Sequence, residues 1–536
     1  MKSRPDPIRP APYQLVPLAK LLANGLDGLL IGDGVGAGKT ISAGYVLTYA
    51  RSKLAKPAFV VCSPTLIFKW IFELKSKFNT SALPVRSMDD LDTAKDESSH
   101  RSHDAKQPVY VMSNSLLSKA RQTDYPTVSA AIFDEVHTYR NPQTEWQRGC
   151  LELARSADIR VGLSATPINN QMQDLVSEFC VLLPKYDLET IEAVVNDLWS
   201  SNRDALSGAL VTRFLKDRLG IHFARRVVES ILVSYPEPYL REATSAILRQ
   251  TSGRTLLEKI TYYRLAASSP WAFWTSIGRK DLRDQWIDPK LDALDKIIND
   301  RTSTVTHWLV FCEFTETVEF LSRKLTHPYL FTMTGETPMF DRESIVESFR
   351  KAPEGLLIVT SVGSEGLDFQ FCGGIVNYDL HWNPMKLEQR AGRIDRVGQE
   401  RKSIRIVNIH VANSVDDLVL SVIRRKLELI SNSVFAPNPI LSDHVHAPDA
   451  RMYSEEVVAH ELDAGSSLVE TFKLNNSIET QDYAALPSVD TAFCDPTKLE
   501  SAAPQIDAST IVRSEDWRKY VVEGSLTIID LLKEYA

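Results

Sequence analysis

The chain has 536 residues, enough for three or four domains, and its 43% hydrophobic and 24% charged residues are typical of a globular protein with a substantial core. A net charge of −8 argues against a protein covered in basic surface, although it allows a local basic groove. No apolar run reaches the roughly 18 residues that span a membrane, and the six cysteines form no C-x-x-C pair, so we expect a cytoplasmic protein without membrane partner, disulfide framework or structural zinc.

A glycine-rich loop near the start of the chain is the strongest local signal. The apolar run Leu29–Ile31 predicts a strand, and it leads into Gly-Asp-Gly-Val-Gly-Ala-Gly-Lys-Thr at residues 32–40. Glycines let backbone N–H groups turn toward an anion, and the helix that follows adds its own donors and positive end. Such a loop binds phosphates, with Lys39 on the β and γ phosphates and Thr40 on Mg²⁺. An ordinary glycine-rich turn is the alternative, because Asp33 stands where the first glycine is expected.

The next signals are an amide upstream of the loop and two strands downstream of it. Gln14 is a candidate for the adenine, because an amide can pair with both N6 and N7. Ala58–Cys62 and Val109–Met112 are typical of buried strands, and the polar turns that follow them hold Thr65 and Ser113. Strands that alternate with helices predict a parallel sheet, whose ligands bind at the carboxyl ends of the strands.

Two later strands end on residues that carry chemistry. Ala130–Phe133 ends on Asp134 and Glu135, which are suited to hold Mg²⁺ and to orient or deprotonate the attacking water. Solvated acids at a strand end are the alternative, and the phosphate loop upstream favours the catalytic interpretation. Arg160–Leu163 leads to Ser-Ala-Thr-Pro at residues 164–167, a turn that predicts a capped helix and could also report the γ phosphate.

From about Asn170 to Asp288 the pattern changes. Helical patterns with aromatic residues dominate, and no strand–turn–helix unit is recognisable, so we predict a helical insertion and linker. Basic residues gather in this stretch, which is typical both of a surface that faces a phosphate backbone and of solvated helix faces. The basic residues are Arg213, Lys216, Arg218, Arg225 and Arg226.

A second α/β block begins near Pro289. Its predicted strands are His307–Cys312, Leu356–Thr360 and Ile375–Tyr378. Further on, Arg393 and Arg396 lie three residues apart, which on a helix places both side chains on one face. Two arginines aimed at the same place suit a triphosphate, whereas a basic helix that faces solvent is the alternative.

Taken in order, these blocks resemble the superfamily-2 helicase-like ATPases, and within them the Swi/Snf-type DNA translocases. Asp33–Thr40 matches that family's Asp-first phosphate loop, and Asp134–His137 is similar to its Mg²⁺ and water-activating box. Ser164–Asn169 is similar to the third motif, Gly363–Asp368 to the fifth and Gln389–Gln399 to the sixth.

The resemblance covers roughly residues 10 to 430 and implies an α/β fold of two RecA-like parallel-sheet lobes with ATP and Mg²⁺ between them. The run Tyr378–Pro384 is especially similar to bacterial members of the RapA-like branch. We therefore expect four segments, which are lobe 1 at 1–185, a helical insertion and linker at 186–288, lobe 2 at 289–436 and a C-terminal extension of unknown role at 437–536.

The functional residues of the family carry over by position. The catalytic set is Lys39, Asp134, Glu135, Arg393 and Arg396. The nucleotide-binding set is Gln14, Asp33, Gly34, Gly36, Gly38, Lys39, Thr40, Gly366 and Asp368, of which Thr40 together with Asp134 would hold Mg²⁺. The nucleic-acid contacts are Thr65, Ser113 and Ser361. The residues expected to couple the two activities are His137, Ser164, Thr166 and Gln389.

The resemblance implies an ATP-driven motor on duplex DNA that binds without sequence preference, in which lobe closure brings the two arginines onto the γ phosphate. Two alternatives stay open. A strand-separating DNA or RNA helicase uses the same motifs. A partner-dependent ATPase subunit would use residues 437–536 to grip a protein such as RNA polymerase or a component of a defence complex.

Overall fold

The computed structural model describes residues 11–23, 25–100, 107–165, 172–199, 210–212, 223–251, 256–300, 302–364, 366–396, 398–431 and 440–441. These residues fall into two compact units, one with the residues up to 212 and one with residues 223–429 and 440–441. Thr166, three members of the basic cluster (213, 216 and 218) and all but residues 440–441 of the predicted C-terminal extension lie outside the described residues.

The first unit is built on a seven-stranded sheet. Its strands are β1 (Gly28–Ile31), β2 (Ala58–Cys62), β3 (Ala82–Val85), β4 (Val109–Ser113), β5 (Val128–Asp134), β6 (Ala157–Leu163) and β7 (Val211–Thr212). Its helices are α1 (Val16–Ala23), α2 (Lys39–Leu54), α3 (Ile67–Phe78), α4 (Met88–His100), α5 (Asn114–Leu117), α6 (Glu145–Ser156), α7 (Met172–Leu182) and α8 (Leu188–Trp199). The strand order is β3-β4-β2-β5-β6-β1-β7, and all neighbours are parallel.

The sheet forms because its central strands are short apolar runs that can be buried on both faces, as a parallel sheet covered by helices requires. Leu29, Val60, Val111 and Ile132 are fully buried in one shared core. In a parallel sheet the carboxyl ends of all strands lie at one edge. That edge therefore collects the loop after β1, the turn after β2, and the ends of β4, β5 and β6.

The second unit is built on a six-stranded parallel sheet. Its strands are β8 (Arg225–Val233), β9 (His307–Cys312), β10 (Leu330–Met333), β11 (Gly355–Thr360), β12 (Gly374–Asn377) and β13 (Ser403–Val411), in the order β10-β11-β9-β12-β13-β8. Its helices are α9 (Glu237–Gln250), α10 (Leu256–Ser268), α11 (Pro270–Ser276), α12 (Pro289–Ile298), α13 (Thr315–Lys324), α14 (Met339–Lys351), α15 (Pro384–Ala391) and α16 (Val415–Ser431). Two parallel sheets flanked by helices confirm the predicted α/β fold.

The prediction of a helical insertion and linker over 186–288 is wrong at β7, which pairs with β1 in the first sheet, and at β8. Strand β8 pairs with β13 over nine residue pairs, from Arg225 opposite Ser403 to Val233 opposite Val411. Its charged start concealed it, because the basic cluster that includes Arg226 was interpreted as a phosphate-facing surface or a solvated helix face. In the fold the Arg226 guanidinium is buried, with Nη1 2.6 Å from Glu388 Oε2 and Nε 2.7 Å from Asp395 Oδ2. The second sheet therefore begins well before the predicted start of lobe 2.

The helices that follow β8 also belong to the second unit. A buried ion pair joins them to the sheet, since Lys290 Nζ lies 2.9 Å from Asp379 Oδ1 and donates to the Ala267 carbonyl at 3.3 Å. Ser268 Oγ donates to the same Asp379 carboxylate at 2.9 Å. Because both charges are buried and satisfied, this contact fixes α10 and α12 firmly on the sheet. Within the part of the chain that the structure describes, no helix is both long and apolar enough to cross a membrane.

Candidate nucleotide and nucleic-acid site

The loop after β1 has the backbone shape of a phosphate cradle. Gly36 and Gly38 have φ of +81° and +84°, which a residue with a Cβ rarely adopts. At Gly38 a Cβ would also come within 2.6 Å of Gln14 Nε2. Helix α2 begins at Lys39, whose Nζ turns back to donate to the Asp33 carbonyl at 3.0 Å. The loop, Lys39 and the first turn of α2 therefore lie together, which is the arrangement expected of a phosphate loop at residues 33–40.

The segment before α1 lies against this loop. Tyr13 Oη donates to the Ala37 carbonyl at 2.5 Å, and Gln14 is 5% exposed with its Oε1 accepting from the Ala11 amide at 3.0 Å. These contacts bring the Gln14 amide nitrogen next to Gly38. Tyr13 was missed by sequence reasoning, and its only signal was its place beside Gln14. The adenine contact of Gln14 stays a prediction.

Asp134 and Glu135 stand at the carboxyl end of β5. Burial and the charge of Glu135 raise the pKa of Asp134 to about 6, although Trp70, Lys39 and Lys69 act in the opposite direction. Trp70 Nε1 donates to Asp134 Oδ2 at 2.8 Å. Two adjacent carboxylates in a low-dielectric place repel each other, and a hard divalent cation would relieve that repulsion. The donor set therefore fits Mg²⁺, with the Thr40 hydroxyl on α2 as the second predicted protein ligand.

A strained turn begins at Glu135, the second acid of the pair. Glu135 has φ of +50° and is not a glycine, a conformation that costs energy and is typical of functional sites. His137 Nδ1 lies 3.0 Å from Ser164 Oγ and 3.3 Å from Glu135 Oε2. The structure thus brings together Glu135 and two of the four predicted coupling residues. Their coupling role stays a prediction.

A buried acidic residue behind this turn was missed. Glu178 on α7 is fully buried, and among the described residues neither of its carboxylate oxygens has a hydrogen-bond partner. Burial, and then the nearby Asp174, raise its pKa well above the ordinary value. Arg140 stands close by, with Nε 3.8 Å from Asp174 Oδ1. The signal in the sequence was an acid within the largely apolar residues 175–182.

Thr65 and Ser113 lie at the carboxyl ends of neighbouring strands, β2 and β4. Thr65 Oγ1 is 2.8 Å from Ser63 Oγ, and Ser113 Oγ accepts from the Leu116 amide at 3.3 Å as the cap of α5. Two hydroxyl-bearing turns therefore stand side by side at the edge that carries the phosphate loop. Their contact with nucleic acid stays a prediction.

In the second unit, the predicted fifth and sixth motifs lie together. The Phe369 amide donates to the Arg393 carbonyl at 3.2 Å, and Arg396 Nη1 lies 3.5 Å from Asp368 Oδ1. Gly366 turns the chain with φ of +79°. Arg393 and Arg396 are half-buried.

The helical argument for the two arginines is wrong. Helix α15 ends at Ala391 with Gly392 as its C-cap, so Arg393 and Arg396 lie in the turns that follow it. Glycine has poor helix propensity, and it stops the helix before the arginines. Of the predicted sixth motif, the half-buried Gln389 and the buried Arg390 and Ala391 are on the helix itself. The proximity of the two arginines comes from the turn rather than from helical periodicity.

Arg390 was also missed, and it contacts Ser361. Its Nη2 donates to Ser361 Oγ at 3.2 Å and forms an ion pair with Glu313, while its Nη1 donates to the Asp379 carbonyl at 2.7 Å. Arg390 is 3% exposed. The predicted nucleic-acid contact Ser361 is thus tied to the same helix that precedes the two arginines.

Comparison with known families agrees with this geometry. Residues 15–192 match the SNF2-related domain, and residues 289–398 match the helicase conserved C-terminal domain. Together the two matches cover more than half of the chain. The first contains the phosphate loop and the acid pair, and the second contains both arginines.

Similar proteins include the uncharacterised ATP-dependent helicase YqhH of Bacillus subtilis, 26% identical over 81% of this chain and 81% of the relative. The TATA-binding protein-associated factor 172 of Homo sapiens is 23% identical over 78% of this chain, which spans only 27% of that relative. The SWI2/SNF2 ATPase core of Sulfolobus solfataricus in complex with dsDNA is 15% identical, with 86% of this chain and 98% of that chain covered, at a TM-score of 0.36. A TM-score this low carries no argument about the fold, which the two sheets described above establish. The RapA-like branch stays a prediction.

Proposed function

The chain belongs to the SNF2-related, helicase-like ATPases, and from that premise we propose that it is an ATP-driven translocase on double-stranded DNA. The observation that carries the proposal is the meeting of phosphate loop and acid pair at one edge of the first sheet. β1 and β5 flank β6 in the sheet. Burial and Glu135 raise the pKa of Asp134 and the charge of Lys39 opposes them, so Lys39 and Asp134 are within electrostatic reach.

In this proposal the first unit binds and activates the nucleotide. The loop amides and Lys39 bind the phosphates, and Gln14 contacts the adenine. Thr40 and Asp134 hold Mg²⁺, which when bound neutralises charge on the β and γ phosphates. Glu135 orients the attacking water and accepts its proton, aided by the strained turn that fixes its position.

The second unit supplies the arginines. Arg396 now faces the Asp368 carboxylate at 3.5 Å, a half-exposed pair that is weak enough to exchange for a phosphate. In the hydrolytic state Arg393 and Arg396 donate to the γ phosphate, where an arginine can contribute about 10³–10⁵-fold in rate. Each cycle of binding and hydrolysis then shifts the grip on DNA.

The DNA contacts of the proposal are hydroxyls and backbone groups at strand ends, namely Thr65, Ser113 and Ser361. Such contacts to phosphates carry no sequence information, so binding should be sequence-independent and weaken steeply with salt. The proposal places the protein in the cytoplasm, with DNA as its partner. A protein partner for residues 437–536 belongs to the alternative proposal, in which the chain is a partner-dependent ATPase.

A second candidate function is strand separation. The Bacillus relative is named an ATP-dependent helicase, which favours this alternative for a chain that aligns with most of its length. The two functions use the same ATP site. They differ in whether the strands of the duplex part.

The deciding experiment measures the ATPase rate of the full chain without nucleic acid, and with single-stranded DNA, duplex DNA or RNA. We expect duplex DNA to stimulate most strongly, and Glu135→Gln to abolish the stimulated rate by removing the group that accepts the proton. Displacement of a third strand from a DNA triplex should then require ATP, while a tailed duplex stays paired. Unwinding of the tailed duplex would favour the helicase, and normal turnover in Glu135→Gln would contradict the site assignment.

A further inference from the structure

Trp70 reaches the acid pair from α3. Its side chain is 2% exposed and packs in the core of the first sheet. Its indole Nε1 donates to Asp134 Oδ2 at 2.8 Å. An indole has one N–H and no acceptor, so this contact can only donate to the carboxylate. The ring cannot swing away without opening the core, and the donor is therefore held at a fixed place.

This contact selects between the two carboxylate oxygens of Asp134. The indole N–H takes one lone pair of Oδ2, which leaves Oδ1 as the oxygen with no bond to the indole. A hydrogen bond from a fixed neighbour sets the rotamer of a ligand and tunes its affinity for the metal. Asp134 stands at the end of β5, where the backbone alone does not fix the plane of its carboxylate.

Helix α3 also leads back to a second predicted contact. It follows directly on the short 3-10 turn Pro64–Leu66, which holds Thr65. A helix transmits a small displacement of its first turn along its length, because its backbone hydrogen bonds make it stiff. A displacement of the turn that holds Thr65 would therefore move the first turn of α3, which carries Trp70.

We propose that Trp70 is a positioning residue, which orients Asp134 for Mg²⁺ and links that carboxylate to the turn that holds Thr65. This inference rests on the proposed function, since it takes Asp134 as the Mg²⁺ ligand and the turn as a nucleic-acid contact. In this proposal Trp70 acts through Asp134 and not on the nucleotide. Its effect should appear in the metal dependence of binding rather than in nucleotide binding as such.

The test measures binding of an ATP analogue with a visible fluorophore by anisotropy, first in EDTA and then as Mg²⁺ is added to the full chain. Trp70→Phe keeps an aromatic ring in the core and removes the N–H. We expect binding in EDTA to stay within about twofold of the parent chain, and the Mg²⁺ midpoint to rise about 10–100-fold. Trp146→Phe, on α6 at 39% exposure, is the matched control and should leave both values unchanged.

A second variant separates the lost N–H from any loss of packing. Benzothienylalanine at position 70 has the shape of tryptophan but sulfur in place of the N–H, and it should raise the midpoint as Trp70→Phe does. A midpoint within twofold of the parent chain in this variant would overturn the proposal. An equal loss of binding with and without Mg²⁺ would overturn it too, because that result means a damaged nucleotide site.

The link to the nucleic-acid turn has its own measurement. Duplex DNA should lower the Mg²⁺ midpoint of the parent chain, and this shift should vanish in the benzothienylalanine variant. An equal shift in both proteins, or none in the parent chain, would refute the link. Asp134→Asn distinguishes the deeper failure, since an unchanged Mg²⁺ midpoint in that variant would refute Asp134 as a ligand and with it the proposed function.

Discussion

Charged residues are partnered differently at the edge of the first sheet and in the second unit. At the edge of the first sheet, the acids Asp134 and Glu135 stand side by side, half-buried and in a strained turn, where a cation would stabilise them. In the second unit, Arg226 and Arg390 are buried and already paired with acids of their own fold. Arg393 and Arg396, by contrast, are half-buried and lie in turns.

This contrast teaches that a basic residue near a motif is not by itself a phosphate ligand. Burial separates Arg226 and Arg390, which pair with acids of their own fold, from the predicted phosphate ligands Arg393 and Arg396. Arg226 belonged to the predicted basic cluster, and the fold uses it to hold α15 against β8. Arg390 directly precedes the arginine motif turns and is likewise committed to Glu313.

The largest effect should follow from removal of a functional arginine. We expect Arg396→Ala to lower the DNA-stimulated ATPase rate about 10³–10⁵-fold, because it removes a donor to the γ phosphate. Nucleotide binding, measured by anisotropy, should change little. Lys402→Ala, an exposed basic residue close by in the sequence, is the control and should keep full activity. A normal rate in Arg396→Ala would break the comparison.

A structural arginine should show the reverse pattern. We expect Arg226→Met to lower the free energy of unfolding by about 3–5 kcal/mol, because Glu388 and Asp395 would keep their buried charges without a partner. Arg225→Met, exposed on the same strand, should change it by less than about 0.5 kcal/mol. Urea unfolding of the three proteins checks this, and equal stabilities would show that the buried pairing is unimportant.

A smaller effect should come from the buried acid of the first unit. Glu178→Leu should raise the free energy of unfolding by about 1–3 kcal/mol at pH 8, because it removes a carboxyl group that lacks hydrogen bonds among the described residues. Burial raises the pKa of Glu178 in the folded state. The carboxyl therefore destabilises the fold increasingly as the pH rises above the ordinary pKa of a glutamate.

The advantage of Glu178→Leu should therefore shrink as the pH falls through 4.5, below which both states hold the proton. Urea unfolding at pH 5 and pH 8 measures this trend. Glu192→Leu, exposed on α8, should show no such pH dependence. A constant difference between the two pH values would mean that the Glu178 carboxyl is ionised in the fold.

The parts of the site that the sequence predicted are those written in local patterns. The phosphate loop needs glycines next to a lysine, and the acid pair needs an apolar strand before it, so Asp33–Thr40 and Asp134–Glu135 were recognisable within a few residues. Central strands such as Ala58–Cys62 were predicted for the same reason, because burial on both faces demands a continuous apolar run.

The parts that were missed depend on contacts between distant residues. Nothing in the sequence near Trp70 shows that its N–H meets Asp134. β8 is an edge strand that begins with two arginines, so its pattern lacks the apolar run of a central strand. The prediction of a helix through Arg393 and Arg396 is wrong because the helix ends before Gly392. The glycine is a local stop signal, and it outweighs the three-residue spacing of the two arginines.

The place of β8 has a consequence for the order in which the protein is made. This strand is synthesised before the rest of the second sheet, yet its partner β13 follows about 180 residues later. The first strand of the sheet can therefore pair only after the last strand has been made. Until then β8 has no strand to pair with, and the edge of β12 that β13 will cover is open. Synthesis that stops short of residue 403 therefore leaves a chain that exposes an unfinished sheet and becomes a target for aggregation or proteolysis.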